Sequence, residues 1–136
     1  MTDFLKIKVG SSGIFPKRGT VGSAGYDLYT PTDLELNPGL HKIDLDIQIA
    51  LPLNTYGDIR CRSSLAKKNI SVEAGVIDSD YRGNIKVLLR VREQITIKKG
   101  HAIAQMLILP LYLCVPKQVD SLDSTVRGEG GFGSTN

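Results

Sequence analysis

The stretch HKIDLDIQIALP, residues 41–52, decides the fold class. Ile43, Leu45, Ile47 and Ile49 alternate with Asp44, Asp46 and Gln48, and a period of two turns one face of an extended chain toward a core and the other toward water. The segment reads as a half-buried strand. Shorter signals of the same kind occur at Leu5–Val9, Asp33–Leu36, Gly57–Arg60 and Asn84–Val91, each bounded by Gly, Pro, Asn or charged residues. Turns are expected at Asn37-Pro38-Gly39 and at Lys98-Lys99-Gly100. From Ala102 to Val115 the chain is almost wholly apolar, as a strand buried on both faces would be, and Pro110 predicts a bend or a change of sheet. Only Ser63–Asn69 could make a short helix, capped by Ser63 or Ser64. Many short strands at near-regular spacing predict an all-β sandwich or barrel.

Composition bounds the function. At 136 residues the chain fits one domain with one core, and a net charge of +3 is too small to argue for nucleic acid. Cys61 and Cys114 have no C-x-x-C spacing, which favours a reduced, intracellular setting, cytoplasmic or nuclear. No targeting segment is visible, and no stretch approaches the roughly 18 apolar residues of a membrane span. Beyond Pro116 the apolar residues thin out, so residues 1–115 are expected to form the core and residues 116–136 a flexible arm. Extended, that arm could span roughly 70 Å against a radius of gyration of about 14 Å for the domain, so it can reach a neighbouring subunit.

The arm ends in RGEGGFGSTN, residues 127–136, where Gly128, Gly130 and Gly133 match G-x-G-x-x-G. A dinucleotide loop needs a strand before these glycines and a helix after them, and here only Ser134, Thr135 and Asn136 follow. No Lys-Ser or Lys-Thr pair completes a P-loop either. His41 and His101 carry no zinc-ligand spacing and read as surface residues. Proton transfer therefore falls to a carboxylate. The segment AGVIDSDYRGNI, residues 74–85, places Asp78 and Asp80 beside Tyr81 between Gly75 and Gly83, which suits a tight hairpin or a close backbone approach to a ligand. In CRSSLAKKN, Arg62 precedes two hydroxyls at a helix start, a set that can hold phosphate or merely cap a helix.

In order along the chain, AGYDLYT, RSSLA, GVIDSDYRGNI, AIAQMLILP and RGEGGFGSTN resemble the five motifs of the trimeric dUTPase family. The resemblance covers nearly the whole chain. It implies a jelly-roll homotrimer with sites at subunit interfaces, hydrolysing dUTP to dUMP and pyrophosphate with Mg²⁺, and no nucleic-acid or membrane partner. Carried over by position, Asp78 would orient and deprotonate the attacking water and meet the sugar 3′-hydroxyl. Tyr81 would lie under the deoxyribose, and the backbone of Gly75, Val76 and Ile77 would read uracil. Arg62, Ser63, Ser64 and Gln105 would contact phosphate, with Lys86 a further contact. Asp27 would touch the hydrated magnesium through water, with no direct protein ligand. In the arm, Phe132 would stack on the base, with Arg127, Gly133 and Ser134 on the phosphates.

The chain departs from the family pattern at Cys61, where Pro is usual, at Ser64 in place of Gly, and at Ala102 in place of the fourth-motif Arg. The stretch from Asn69 to Gly75 is one residue shorter than the common pattern. Two other readings compete. A dCTP deaminase shares the fold and an R-S-S-x-A-R motif, but Lys67 stands where its Arg would be, and Val87, Leu88 and Leu89 stand where its catalytic Glu would be. A catalytically silent jelly-roll interaction module is the third, against which Asp78 and the intact arm motif argue.

Overall fold

The computed structural model describes residues 3–133. In chain order it contains β1 (Lys6–Val9), β2 (Lys17–Arg18), β3 (Tyr26–Tyr29), β4 (Leu34–Leu36), β5 (Gly39–Asp44), β6 (Ile47–Ala50) and β7 (Thr55–Arg60). There follow α1 (Ser63–Ala66), β8 (Ile70–Glu73), β9 (Val76–Ile77), β10 (Lys86–Val91), β11 (Ile95–Ile97) and β12 (Ala102–Pro110). The fold is all-β with one short helix, as the strand pattern predicts, and is the jelly roll that the family resemblance implies.

The strands pair antiparallel into four small sheets. The largest has the order β2-β3-β12-β7-β9, a second runs β5-β10-β8, and β1-β6 and β4-β11 are two-stranded ribbons. Most neighbours are distant in sequence, so the chain crosses between sheets repeatedly. Their inward faces meet in one core, to which β10 gives Val87, Leu89 and Val91, β12 gives Ile103, Ala104 and Met106, and α1 gives Leu65. Burial on this scale is the main stabilising term, at about 25 cal/mol per Å² of apolar surface removed from water.

The deciding stretch is two strands rather than one. Ile43, Leu45, Ile47 and Ile49 are all buried, so the alternation identified the core face correctly. At Asp46, however, φ turns to 54°, the left-handed region that Asp tolerates because its side chain can bond locally. The Asp46 N–H donates to Asp44 Oδ1 at 2.8 Å, and its own carboxylate accepts from the Ser12 N–H at 2.9 Å. Ile85 bridges the break, accepting from the Leu45 N–H and donating to the Ile47 carbonyl. The chain therefore leaves the β10 sheet and joins β1 without losing its buried face.

Two further expectations are corrected. The helix stops at Ala66, and its N-cap is Arg62, with no side-chain cap bond from Ser63 or Ser64. Asn69 at φ 61° redirects the chain into β8 before a second turn can form. The last strand ends at Pro110, which cannot donate to a continuing ladder, and Leu113 and Val115 beyond it are 81% and 91% exposed. Residues 112–133 carry no helix or strand. Both cysteines are free thiols.

Candidate functional site

Three motif residues converge at one end of the five-stranded sheet. In register, Gln105 of β12 lies between Asp27 of β3 and Arg60 of β7. A β-bulge between Ala102 and Ala104 puts Ile103 and Ala104 both into the core and turns Gln105 to the other face. There its Nε2 donates to the Cys61 carbonyl at 3.1 Å, pinning the link between β7 and α1. Gly25 is required beside it, because a Cβ there would collide with the Gln105 side chain. Arg62 extends from that link, and its Nε meets Asp27 Oδ1 at 3.2 Å. Tyr29 stands next to this pair, and its phenol pKa is raised by burial first and by the Asp27 charge second, with Arg62 opposing.

From Arg62 opens a cavity of about 370 Å³, also lined by Ser64, Leu65, Lys68, the strand Ile95–Ile97, Gly100, His101 and Ala102. None of the lining residues is acidic. Ser63 is exposed at the first position of α1. Cys61, just before Arg62, gives its thiol hydrogen to the Ile70 carbonyl at 3.2 Å, and burial pushes its pKa up. It is a structural thiol rather than a nucleophile.

The third motif lies elsewhere. Gly75 accepts from the Ile59 N–H at 2.6 Å, and β9 pairs with β7 through Val76↔Asp58 and Ile77↔Gly57. Only glycine fits at position 75, where a Cβ would run into the Ile59 carbonyl. Asp78 then begins a turn whose carbonyl accepts from the Tyr81 N–H at 3.1 Å. Tyr81 is fixed by its hydroxyl, which donates to the Asn84 carbonyl at 2.8 Å, and by Gly83, whose missing side chain leaves room for the ring. Asp78 and Asp80 face an open cavity of about 530 Å³ with Tyr56, Val76, Leu111 and Leu113. A smaller cavity of about 150 Å³ is lined by Gly75, Ile77 and Lys86 together with Lys42 and Glu73.

These two groups do not meet within one chain. Ile77 stands opposite Gly57, and the chain from Gly57 to Arg62 is extended, with Arg62 at φ −88° and ψ 145°. At about 3.3 Å per residue, Arg62 lies roughly 17 Å along the strand from the level of Ile77, and Gln105 and Asp27, level with Arg60, roughly 10 Å, before Asp78 itself is added. Arg127 turns back on itself, its Nε donating to the Gly130 carbonyl at 2.6 Å, and Phe132 is fully exposed beside Gly133. Ser134 lies outside the described residues. Among the described residues no three His, Cys, Asp or Glu side chains gather as a metal cage.

Sequence reading did not single out Lys68 and His101 as cavity residues. Lys68 stands four positions after Ser64, a spacing that shares a helix face, but His101 is brought in by the β3–β12 register, which no local pattern encodes.

Fold and site together define a class: an all-β jelly-roll protein with a basic, hydroxyl-bearing cavity suited to a phosphate-bearing ligand. The dUTPase family model matches residues 11–136. The chain is 46% identical over 126 residues to the deoxyuridine 5′-triphosphate nucleotidohydrolase of Debaryomyces hansenii, covering 88% of this chain and 79% of that one. It is 47% identical over 125 residues to the mitochondrial protein of that name from Homo sapiens, covering 88% of this chain and 49% of the relative. Among solved structures, a Staphylococcus bacteriophage 80alpha dUTPase with dUpNHpp superposes at a TM-score of 0.89 and 27% identity, covering 99% of each chain. The chain belongs to the dUTPase family.

Proposed function

We infer that this chain hydrolyses dUTP to dUMP and pyrophosphate, removing dUTP and supplying the dTMP precursor, and that it does so at sites shared between copies of a homotrimer. Family membership carries the reaction. The observation that carries the shared site is the separation of the Asp27–Arg62–Gln105 group from the Asp78–Tyr81 turn along β7. The phosphates of one nucleotide reach only several ångströms from its sugar, so one chain alone cannot serve both ends. A second copy that brings its Asp78 turn to the Arg62 cavity of the first supplies the missing half, and closed rings of such heterologous contacts are a standard assembly.

In this reading Asp78 accepts a proton from a water whose oxygen bonds to the α-phosphorus. The bond from that phosphorus to the bridging oxygen of the β-phosphate breaks, and pyrophosphate leaves. The backbone of Gly75, Val76 and Ile77 presents fixed donors and acceptors to uracil, and cytosine is rejected because its exocyclic amine would face a donor. The Tyr81 ring, held by Asn84 and Gly83, forms the floor under the deoxyribose. Arg62, Ser63, Ser64 and Gln105 receive phosphate oxygens, with Lys86 at the rim of the base cavity. The arm, residues 116–136, closes the site with Phe132 over the base and Arg127, Gly133 and Ser134 on the phosphates.

Asp27 is a lone carboxylate already paired with Arg62, which suits an outer contact through water and not an inner ligand. That donor set fits a Mg²⁺ ion carried mainly by the triphosphate itself, where it would neutralise phosphate charge. In sequence relatives of this kind the compartment varies, and one is described as mitochondrial. No helix among the described residues is long and apolar enough to cross a membrane.

The test is a single-turnover assay of dUTP, dCTP, dTTP and UTP. Pyrophosphate from dUTP with little from the others supports the reading; ammonia from dCTP would point to the deaminase, and no product from any would leave an interaction module.

A further inference from the structure

We propose that His101, with Lys68, supplies the cationic end of the triphosphate subsite in this chain, and that protonation of His101 tunes affinity for dUTP. The inference rests on the dUTP reading and extends it to two residues outside the family motifs. Where the family pattern has a fourth-motif arginine, this chain has Ala102, whose methyl side chain leaves the space open. The cavity of about 370 Å³ at that point is lined by Arg62, Ser64, Lys68, His101 and Ala102. Two of these five carry a fixed positive charge and a third carries an imidazole.

The cavity lining is cationic, with Arg62 and Lys68 from the α1 side and no carboxylate among the lining residues. Lys98 and Lys99 precede His101 in the turn before β12. β11 contributes no ionisable group to the cavity lining, and Glu35 of β4 stands opposite its Thr96. Asp27 is paired with Arg62 at 3.2 Å, and Asp33 accepts from the Lys99 N–H at 2.8 Å. The backbone of His101 is held on both sides. Its carbonyl accepts from the Thr30 N–H at 3.0 Å, and its N–H donates to the Lys98 carbonyl at 3.1 Å. The backbone that carries the ring is thus held beside the cavity that His101 lines.

Among side chains, imidazole is the one that changes charge across the neutral range. A terminal phosphate beside the imidazole favours its charged form, so binding takes up a proton. By linkage, affinity for the triphosphate strengthens as pH falls through the imidazole range and weakens as it rises. A charge-assisted hydrogen bond of this kind corresponds to roughly tenfold or more in affinity.

The experiment measures kcat and KM for Mg·dUTP from pH 6 to 8.5 in the full-length chain and in H101Q, H101R and K68M, with dUMP affinity as a control. We expect H101Q to raise KM about tenfold at pH 6 and to flatten its rise with pH, with kcat changed far less. H101R should restore a low KM that no longer depends on pH, a rescue that a merely structural histidine would not allow. K68M should raise KM at every pH, and dUMP affinity should be unchanged in all three. If H101Q keeps the wild-type KM and its pH profile, the inference is wrong while the dUTP reading stands. If the unaltered chain releases no pyrophosphate from dUTP, it is the underlying reading that fails.

Discussion

Replacing Gly75 by alanine tests how the strand pairing positions the Asp78 turn. A Cβ at this position falls inside the Ile59 carbonyl oxygen, and the carbonyl carbon and Cα of the same residue stand at 2.9 and 3.1 Å. These are backbone atoms in the middle of β7, so no side-chain rotation relieves the clash. The two strands must separate by about 1 Å, which stretches the 2.6 Å bond from the Ile59 N–H to the Gly75 carbonyl beyond hydrogen-bonding range. Overpacking costs about 1–3 kcal/mol and the lost bond about 1 kcal/mol, so a loss of roughly 2–4 kcal/mol is expected. For a domain of this size that lowers Tm by roughly 10 °C. Turnover should fall further than stability explains, because a displacement of 1 Å in a positioned catalytic group costs about 100-fold. Thermal melts and steady-state pyrophosphate release, both at a temperature where the variant is folded, measure the two effects. Gly22→Ala is the control, since a Cβ there meets nothing within 4 Å. A Gly75→Ala protein that melts with the control and keeps its kcat/KM would refute the reasoning.

Asp78→Asn should lower kcat by about 100-fold or more while leaving binding of a non-hydrolysable dUTP analogue intact by calorimetry, since the amide keeps shape and hydrogen bonding but cannot accept the proton. Deleting residues 127–136 should abolish most turnover with Tm unchanged, because Arg127 donates to the Gly130 carbonyl within its own turn and Phe132 is fully exposed. The Asp44 pKa is lowered, chiefly by the Asp46 N–H; burial opposes as the next largest effect, and the Asn84 side chain then lowers it further. A depressed carboxyl pKa contributes stability above the unfolded value and loses it as pH falls through the folded one, so Asp44→Asn should be less stable than the parent at pH 7. Chemical denaturation at a series of pH values should show that difference shrinking below about pH 4 and vanishing once Asp44 is protonated in both the folded and the unfolded state.

Much of the fold was legible because burial follows chemistry at period two. Ile43, Leu45, Ile47 and Ile49 were all assigned to the core, and all are buried. What the pattern could not show was the break at Asp46, since a left-handed residue stabilised by Ser12, Asp44 and a bridging Ile85 depends on contacts remote in sequence. The helix was overextended for a related reason: Lys67, Lys68 and Asn69 have acceptable helix character, but pairing of Ile70 with β10 ends the turn. At the site, the motif residues were visible as residue types in order, whereas their partition into two groups came only from β7 pairing. His101 was dismissed because histidine without a ligand spacing carries no signal, and only the β3–β12 register brings it to the cavity.

The most direct test of the shared site is complementation between two inactive chains. Asp78→Asn retains the Arg62 cavity and Arg62→Ala retains the Asp78 turn, so each alone should be nearly inactive. When equal amounts are unfolded and refolded together, random trimers that contain both chains each regain one intact site of three, and activity should recover to about a quarter of the parent value. Recovery near that level is the predicted result. A mixture that stays as inactive as its separate components would contradict a site built from two copies.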